Sequence, residues 1–342
     1  MIQISPETQL FIREHSSDDV RALALQAKKY PDINMPTAIT QIAGRQVAAE
    51  KIPSWREIEE IWYPKHLSLE QCSSEITARY KARLFQGDSL IDLTGGFGID
   101  CSFLATGFKT ATYVERQEEL CEIAAHNFPI LNLNHINVRN EDGVAYLQSM
   151  SPVDCIFLDP ARRNEHGGKT VAISDCEPNV AELEALLLSK ANRVMIKLSP
   201  MLDLSLALKE LKHTQEIHIL SVNNECKELL ILLGQTSPAE IAIHCVNLLT
   251  KGTQEEQHLV FTREQEQRSQ CTYTDSLGNY LYEPNASLLK AGAFRSIAAA
   301  YPVRKLHPNS HLYTSDSFIE NFPGRIFRIV NQCSFNKKEV KE

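Results

Sequence analysis

Apolar side chains recur at helical spacing through the first 85 residues of the chain. A helix is predicted after the capping residue Ser17, and a second from Pro36 towards Lys51, because proline favours the first turn of a helix. A third, predicted over Leu69–Phe85, is unusually polar for a helix that leads into a core. The pattern therefore predicts a helical N-terminal domain over residues 1–85.

From Ser89 onward the pattern changes to short apolar runs that alternate with helical stretches. The runs are Leu90–Leu93, Thr112–Val114, Cys155–Leu158, Val194–Leu198, Ile217–Val222 and Leu229–Leu233. This alternation predicts an α/β domain over residues 86–237, built on a doubly wound parallel sheet with helices on both faces. Only Asn223–Glu228 separates the last two runs, which is too short for a helical crossover. We therefore expect these two strands to form an antiparallel pair at the sheet edge.

The pattern is weaker after Pro238. Two strands predict a small ferredoxin-like or linker region over residues 238–277, and a helix with two further strands predicts a small α+β region over 278–342. The predicted strands are Ile241–Leu249, His258–Thr262, Leu312–Thr314 and Arg325–Val330, and the helix is Ala286–Tyr301.

The composition is that of a soluble globular protein, with 342 residues of which 43% are apolar and 23% charged. This length predicts two or three domains. No apolar run approaches the roughly 18 residues needed to cross a bilayer. The first residues lack a basic stretch followed by an apolar one, so no secretory signal is expected. We therefore expect a cytoplasmic protein without a membrane role.

The nine cysteines and eleven histidines are dispersed along the chain. There is no C-x-x-C pair, and no two histidines at H-x-x-x-H spacing lie on a predicted helix, where they would place two metal ligands on one face. These patterns predict reduced cysteines and no bound metal.

Taken alone, the formal net charge of −8 disfavours a nucleic-acid partner, but the charge is unevenly distributed. Residues 278–342 contain nine Lys and Arg against five Asp and Glu, a balance of +4, which leaves −12 on residues 1–277. A basic segment is the electrostatic feature that nucleic-acid binding requires, although an ordinary solvated surface is the alternative. Net charge therefore does not exclude RNA as a partner.

A glycine-rich turn directly follows the first apolar run of the sheet, in Asp92-Leu-Thr-Gly-Gly-Phe-Gly-Ile-Asp100. Glycines at a strand-to-helix turn let the backbone approach a ligand, and free N–H groups gather there, although a tight turn alone is the alternative. Nicotinamide dinucleotides require G-x-G-x-x-G, which this loop lacks. An acid before a short glycine loop suits S-adenosylmethionine better, since its ammonium group needs an acceptor.

Two further acids follow neighbouring strands. Glu115 ends the second strand, where a carboxylate can accept hydrogen bonds from ribose hydroxyls. Asp142 lies where a third strand should end and can meet an adenine amine, with Glu141 as a rival and a simple Asx-Gly turn as the alternative. The carboxyl ends of the strands are where a doubly wound sheet binds its ligand.

The most specific motif is Asp159-Pro160-Ala-Arg-Arg163, at the end of another apolar run. The carboxylate and the proline carbonyl can accept hydrogen bonds from an exocyclic amine and stabilise the cation that forms as it is methylated. Arg162 and Arg163 are candidate contacts to phosphate or carboxylate. Lys197 lies at the end of the next strand and is a further candidate substrate contact. A structural role in the turn that follows is equally supported.

These motifs resemble those of class I S-adenosylmethionine-dependent methyltransferases, and the wider chain is similar to their bacterial subgroup with a THUMP-like C-terminal domain. Four other stretches carry this second similarity: Leu67–Glu75, Ser221–Glu228, Tyr282–Phe294 and Lys305–Tyr313. The resemblance implies a Rossmann-like sheet with an antiparallel last strand, methyl transfer from S-adenosylmethionine, and a tail related to RNA-binding modules.

By position, the resemblance implies three groups of site residues. Those of the methionine end are Asp92, Thr94, Gly95, Gly96 and Gly98; Glu115 and Asp142 serve the ribose and the adenine; and Asp159 and Pro160 face the acceptor. No metal ligand is implied.

The motif departs from the family where a second proline and an aromatic residue usually follow, because Ala161 and Arg162 stand there. The stacking surface for a flipped base is therefore missing. With an arginine at this place, the motif resembles that of some RNA methyltransferases, including enzymes that methylate a carbon of uracil. Carbon methylation needs a cysteine nucleophile, and Cys176 is the nearest candidate. We expect methylation of a nitrogen of an RNA base. A small-molecule or protein methyltransferase, or an RNA-binding protein without turnover, are the alternatives.

Overall fold

The computed structural model describes residues 4–162, 172–251 and 256–332. The helices are α1 (Pro6–Glu14), α2 (Val20–Leu25), α3 (Met35–Lys51), α4 (Pro53–Arg56), α5 (His66–Gln71), α6 (Glu75–Leu84), α7 (Ile99–Leu104), α8 (Glu118–Ile130), α9 (Gly143–Ser149), α10 (Val180–Lys190), α11 (Leu204–Glu210), α12 (Arg263–Arg268), α13 (Ala286–Ala291) and α14 (Phe294–Ala300). The strands are β1 (Gly87–Asp92), β2 (Phe108–Glu115), β3 (Ile136–Asn140), β4 (Val153–Leu158), β5 (Ala161–Arg162), β6 (Cys176–Glu177), β7 (Ala191–Leu198), β8 (Thr214–Val222), β9 (Glu225–Gly234), β10 (Ala242–Leu248), β11 (Glu256–Thr262), β12 (Tyr280–Pro284), β13 (Arg304–Lys305), β14 (Tyr313–Ser315) and β15 (Gly324–Arg328).

The main sheet is mixed and nine-stranded, in the order β11-β10-β8-β9-β7-β4-β1-β2-β3. The predicted doubly wound α/β fold is therefore confirmed. The chain divides into two compact units, which are Met1–Arg163 with Cys176–Ile196, and Asn164–Asp175 with Lys197–Glu342. No helix in the described ranges is long and apolar enough to span a bilayer.

In unit 1, all neighbouring strands of the series β7-β4-β1-β2-β3 are parallel. The N-terminal helices pack against the segment that follows β1. Trp55, Tyr63 and Ala78 share a buried cluster with Phe97 and Ile99, and the rings of Trp55 and Phe97 lie 5.3 Å apart, edge to face. The helical N-terminal region is therefore part of the same core as the glycine loop.

The polar helix predicted over Leu69–Phe85 is two helices, α5 and α6. The backbone is extended at Cys72 and Ser74, which ends α5 and begins α6. This break positions the Ser73 hydroxyl to donate a hydrogen bond of 2.7 Å to the carboxylate of Asp100. The hydrophobic pattern gave no sign of the break, and the contact that accompanies it is with a residue 27 positions away.

In unit 2, β8 and β9 form the predicted antiparallel pair. The prediction that this pair lies at the sheet edge is wrong, because β10 and β11 follow beyond β8. Asn223 and Asn224 connect them with φ of 48° and 69°, the two positive values that a tight hairpin turn requires and that asparagine tolerates. Strand β10 pairs in parallel with β8, and β11 pairs antiparallel with β10. The two strands predicted as a small separate region over 238–277 therefore extend the series that begins with β9 and β8.

The C-terminal part of unit 2 forms a second sheet in the order β13-β14-β12-β15. Tyr282 and Tyr313 on its central strands are fully buried. The helix predicted over Ala286–Tyr301 is divided into α13 and α14 by Gly292, whose φ of 72° lies in the left-handed region. A glycine that follows the last helical residue is a common way to end a helix.

Candidate cofactor site

The carboxyl ends of β1, β2 and β4 bring three predicted acids to one edge of unit 1. Strand β1 lies between β2 and β4 and is parallel to both. Asp92 is the last residue of β1, Glu115 is the last of β2, and Asp159 directly follows β4. Asp92 and Glu115 are buried, whereas Asp159 is half-buried. The edge therefore concentrates negative charge at the position where the sequence predicted a ligand.

The glycine loop between β1 and α7 has a conformation that side chains would disturb. Gly96 and Gly98 have φ of 53° and 87°. A Cβ atom on Gly95 would lie 2.2 Å from the ring of Tyr113, which is too close for any side chain. The Tyr113 hydroxyl donates a hydrogen bond to the carbonyl of Gly96. Tyr113 therefore holds the glycine loop by ring packing and by a hydrogen bond. Nothing in the sequence indicated this role.

Glu115 accepts hydrogen bonds from the backbone of the two segments that follow β1 and β2. One carboxylate oxygen accepts a hydrogen bond of 2.9 Å from the N–H of Gly96, and the other accepts one of 2.8 Å from the N–H of Gln117. Each oxygen can accept a further hydrogen bond. Glu115 therefore orders the glycine loop and can also bind hydroxyl groups of a ligand.

Asp92 is only partly satisfied by the protein. Its Oδ1 accepts a hydrogen bond of 2.9 Å from the N–H of Thr94, while its buried Oδ2 has no hydrogen-bond partner among the described residues. Burial raises the pKa of Asp92 well above its usual value, and repulsion by nearby carboxylates raises it further. These carboxylates are Asp100, Asp159 and Glu115. An unpaired buried oxygen in this position is suited to a hydrogen-bonding ligand.

Thr94 connects the glycine loop to the Asp-Pro motif. Its hydroxyl accepts a hydrogen bond of 2.6 Å from the backbone N–H of Asp159. Pro160 is buried, and Ala161 and Arg162 then pair with Cys176–Glu177 in a short antiparallel ladder. The backbone of the motif is thereby held on two sides.

The remaining predicted contacts differ in how far the structure describes them. Asp142 is exposed and caps α9, where its carboxylate accepts hydrogen bonds of 3.0 Å from Val144 and Ala145. Lys197 is a buried residue of β7 and belongs to unit 2. Arg163 lies outside the described residues.

A buried polar triad beside the glycine loop was not predicted. The ammonium of Lys81 lies 3.0 Å from the Asp100 carboxylate and donates a hydrogen bond of 3.0 Å to the Ser73 hydroxyl. Lys81 is fully buried, and Asp100 is in the first turn of α7, directly after the loop. The polar composition of the predicted third helix was the sequence signal for this triad, but it did not identify the partner.

A glycine loop after β1, an acid at the end of β2 and an Asp-Pro motif after β4 define a methyltransferase fold of the Rossmann-like class. The chain is 36% identical to a "putative methyltransferase" from Porphyromonas gingivalis W83, with a TM-score of 0.83 over 97% of this chain and 84% of that one. The chain therefore belongs to the same family as that protein.

Family models match two parts of the chain. Residues 56–164 match a model of protein-L-isoaspartate(D-aspartate) O-methyltransferase, and residues 280–323 match a ferredoxin-like domain. None of the curated proteins compared with the chain matches it.

Two more distant solved structures are similar to part of this chain. An rRNA methylase from Streptococcus thermophilus is 14% identical, with a TM-score of 0.34 over 46% of this chain and 93% of that one. TrmK from M. capricolum, solved with S-adenosyl-homocysteine, is 14% identical, with a TM-score of 0.37 over 47% and 68%. Similarity this distant says nothing about the substrate of the present chain.

Proposed function

We propose that this protein transfers a methyl group from S-adenosylmethionine to a nitrogen of an RNA base. The observation that carries the proposal is the convergence of Asp92, Glu115 and Asp159 on a glycine loop at the carboxyl edge of β1, β2 and β4. Such a constellation combines an anionic edge with the backbone of a glycine loop, and it suits a ligand that has both a cationic and a ribose part.

The residues present fit S-adenosylmethionine. The unpaired Oδ2 of Asp92 and the raised pKa of that carboxyl favour a cationic partner, because a positive charge would relieve the repulsion among the clustered acids. Thr94 and the three loop glycines would hold the methionine end with Asp92, while Glu115 would bind the ribose and Asp142 the adenine. When bound, S-adenosylmethionine supplies an electrophilic methyl group on a sulfonium.

Replacing Glu115 with glutamine is expected to weaken S-adenosylmethionine binding about 10- to 100-fold. The amide would lose the charged acceptor for ribose hydroxyls and place an N–H₂ group against one of the two backbone N–H donors. Isothermal titration calorimetry measures the affinity directly. The control is Glu118→Gln on the exposed first turn of α8, which should bind like the wild type. Equal affinity of the Glu115 and Glu118 variants would exclude Glu115 from the cofactor site.

The Asp-Pro motif is the acceptor side of the proposed site. The Asp159 carboxylate and the carbonyl of Pro160 would accept hydrogen bonds from an exocyclic amine, which directs the nitrogen lone pair away from them and stabilises the positive charge that develops there. The hydrogen bond from Asp159 N–H to Thr94 preorganises this arrangement. Arg162 and Arg163 would bind the phosphates of the RNA.

A nitrogen acceptor is favoured over a base carbon. Carbon methylation of a pyrimidine needs a cysteine nucleophile that can reach the base. Cys176 pairs with Arg162 in the β5–β6 ladder, close in sequence to the motif, but its side chain is only 2% exposed. A thiol so deeply buried is poorly placed to attack a substrate.

The basic residues of the C-terminal segment 278–342 are a weaker support for RNA. This segment matches a ferredoxin-like domain, and its expected THUMP-like character is not confirmed. Arg304 pairs with Asp316 at 3.1 Å, Arg325 pairs with Glu283, and Lys305 is 3% exposed. Much of the positive excess of this segment therefore stabilises its own fold. In the proposal, phosphate binding rests mainly on the arginines that follow Pro160.

The proposal is tested by incubating the full chain with methyl-labelled S-adenosylmethionine and, separately, total RNA, protein extract and small metabolites. We expect label in RNA, recovered after nuclease digestion as an N-methylated nucleoside. Label in protein or metabolites alone would establish one of the other methyltransferase classes. Cofactor binding without transfer to any pool, together with RNA binding, would identify a non-catalytic RNA-binding protein.

A further inference from the structure

Three histidines and a glutamate cluster on neighbouring strands of unit 2. Glu216 and His218 are two residues apart on β8, so they share one face of the sheet. His244 on β10 is the direct register partner of His218, and His258 on β11 pairs opposite Val246, two residues further along β10. The parallel β8–β10 pairing thus brings together residues that are 26 positions apart in sequence.

Glu216, His218 and His244 each offer one ligand atom, and these atoms all lie within 4.8 Å of one another. The His218 Nε2 lies 3.3 Å from Oε2 of Glu216, and the His244 Nε2 lies 3.9 Å from the same oxygen. Because bonds to zinc are about 2.0 to 2.2 Å long, two ligand atoms of one ion lie at most about 4.4 Å apart, and both distances to Glu216 are within this limit. The two imidazole rings are stacked, with centroids 4.3 Å apart and planes 14° from parallel.

The fourth member of the cluster orients His244. Its Nδ1 lies 3.2 Å from Nε2 of His258, on the side of the ring away from Glu216. When Nδ1 donates to His258, Nε2 keeps the lone pair that a metal requires, which is how ligating histidines are usually held.

We propose that Glu216, His218 and His244 form a Zn²⁺-binding site, with His258 as a positioning residue. Two imidazoles and one carboxylate are a ligand set that zinc uses when one coordination position stays open to water. Burial decreases across the set, because the side chain of His218 is 2% exposed, that of His244 21% and that of Glu216 42%. The open position therefore lies on the solvent side, next to Glu216. The ion would clamp β8 to β10.

The test is zinc binding by the full chain after removal of metal with a chelator. We expect the wild type to bind one equivalent of Zn²⁺ in calorimetry, and Co²⁺ in its place to show visible d–d absorption typical of nitrogen and oxygen ligands. His244→Gln should weaken Zn²⁺ binding at least about 100-fold, and His258→Gln about 10-fold, because the second change removes only the orienting contact. His307→Gln, at an exposed histidine of unit 2, should change nothing.

Glu216→Gln keeps the test decisive if substitution of a buried histidine unfolds the chain. Glu216 is half-exposed, so this variant should fold, which circular dichroism checks, and still lose affinity about 10-fold or more. The proposal is overturned if the wild type binds far less than one equivalent of Zn²⁺. It is equally overturned if binding persists in both Glu216→Gln and His244→Gln, since the ion would then be held elsewhere, for example by cysteines.

Discussion

Replacement of Asp159 by alanine will lower methyl transfer about 100- to 1000-fold and leave the affinity for S-adenosylmethionine nearly unchanged. In the proposed function Asp159 acts on the acceptor, and the loss of one preorganised charge at such a position costs about this much in rate. Its backbone N–H, which binds Thr94, is unaffected by the substitution. Transfer of labelled methyl groups and calorimetric binding measure the two quantities separately.

The matched control is Asp154→Asn. Asp154 lies near the start of β4, and Asp159 directly follows the end of that strand. Asp154 accepts hydrogen bonds from the N–H groups of Asp88 and Ser89, which hold its pKa below the usual value. Its substitution should lower stability without slowing transfer at temperatures well below melting. A normal transfer rate in Asp159→Ala would rule out the assigned acceptor site, and a large loss of cofactor affinity would move Asp159 to the cofactor side.

Replacement of Lys81 by methionine will reduce the free energy of unfolding by about 3 to 5 kcal/mol. Lys81 is fully buried and lies 3.0 Å from Asp100, so the variant leaves a carboxylate buried without its countercharge. Urea denaturation followed by circular dichroism measures the change. Lys65→Met is the control, because Lys65 pairs with Glu119 at the same distance but on the surface, where such pairs contribute less than about 1 kcal/mol.

A double variant distinguishes loss of the ion pair from loss of packing. Lys81→Met combined with Asp100→Leu removes both charges and should recover most of the lost stability, since two apolar groups can replace a buried ion pair at little cost. A loss below about 1 kcal/mol in the single variant would show that the Lys81–Asp100 contact contributes no more than a surface pair.

The fold and the acids of the site were predictable because the signals for them are local. Each strand is a short apolar run, and the edge of a parallel sheet collects whatever follows those runs, so Asp92, Glu115 and Asp159 could be placed together in advance. The length of the Asn223–Glu228 connection was sufficient to predict the antiparallel pair. The assignment of substrate contacts such as Lys197, and the domain boundaries, remain predictions.

The features that the sequence did not reveal depend on contacts between distant residues. In the sequence, Lys81 cannot be distinguished from an ordinary surface lysine, because its contact with Asp100 is visible only in the structure. Gly292 breaks a helix whose alanine-rich pattern continues across it. The expectation of no metal rested on local histidine spacing and is not tested by the structure, whereas His218 and His244 of the proposed zinc site meet only through strand register. Register cannot be read from the spacing within either strand.

The core that joins Trp55 to Phe97 also has an evolutionary consequence. The glycine loop and the N-terminal helices share this core, although the sequence pattern separates them into two domains. A substitution at Trp55 would disturb the packing of the glycine loop from outside it, and one at Phe97 would change the stability of the N-terminal helices. Selection on one of the two segments therefore acts on both. A substitution in the N-terminal helices should be accompanied in related proteins by a compensating one in the glycine loop.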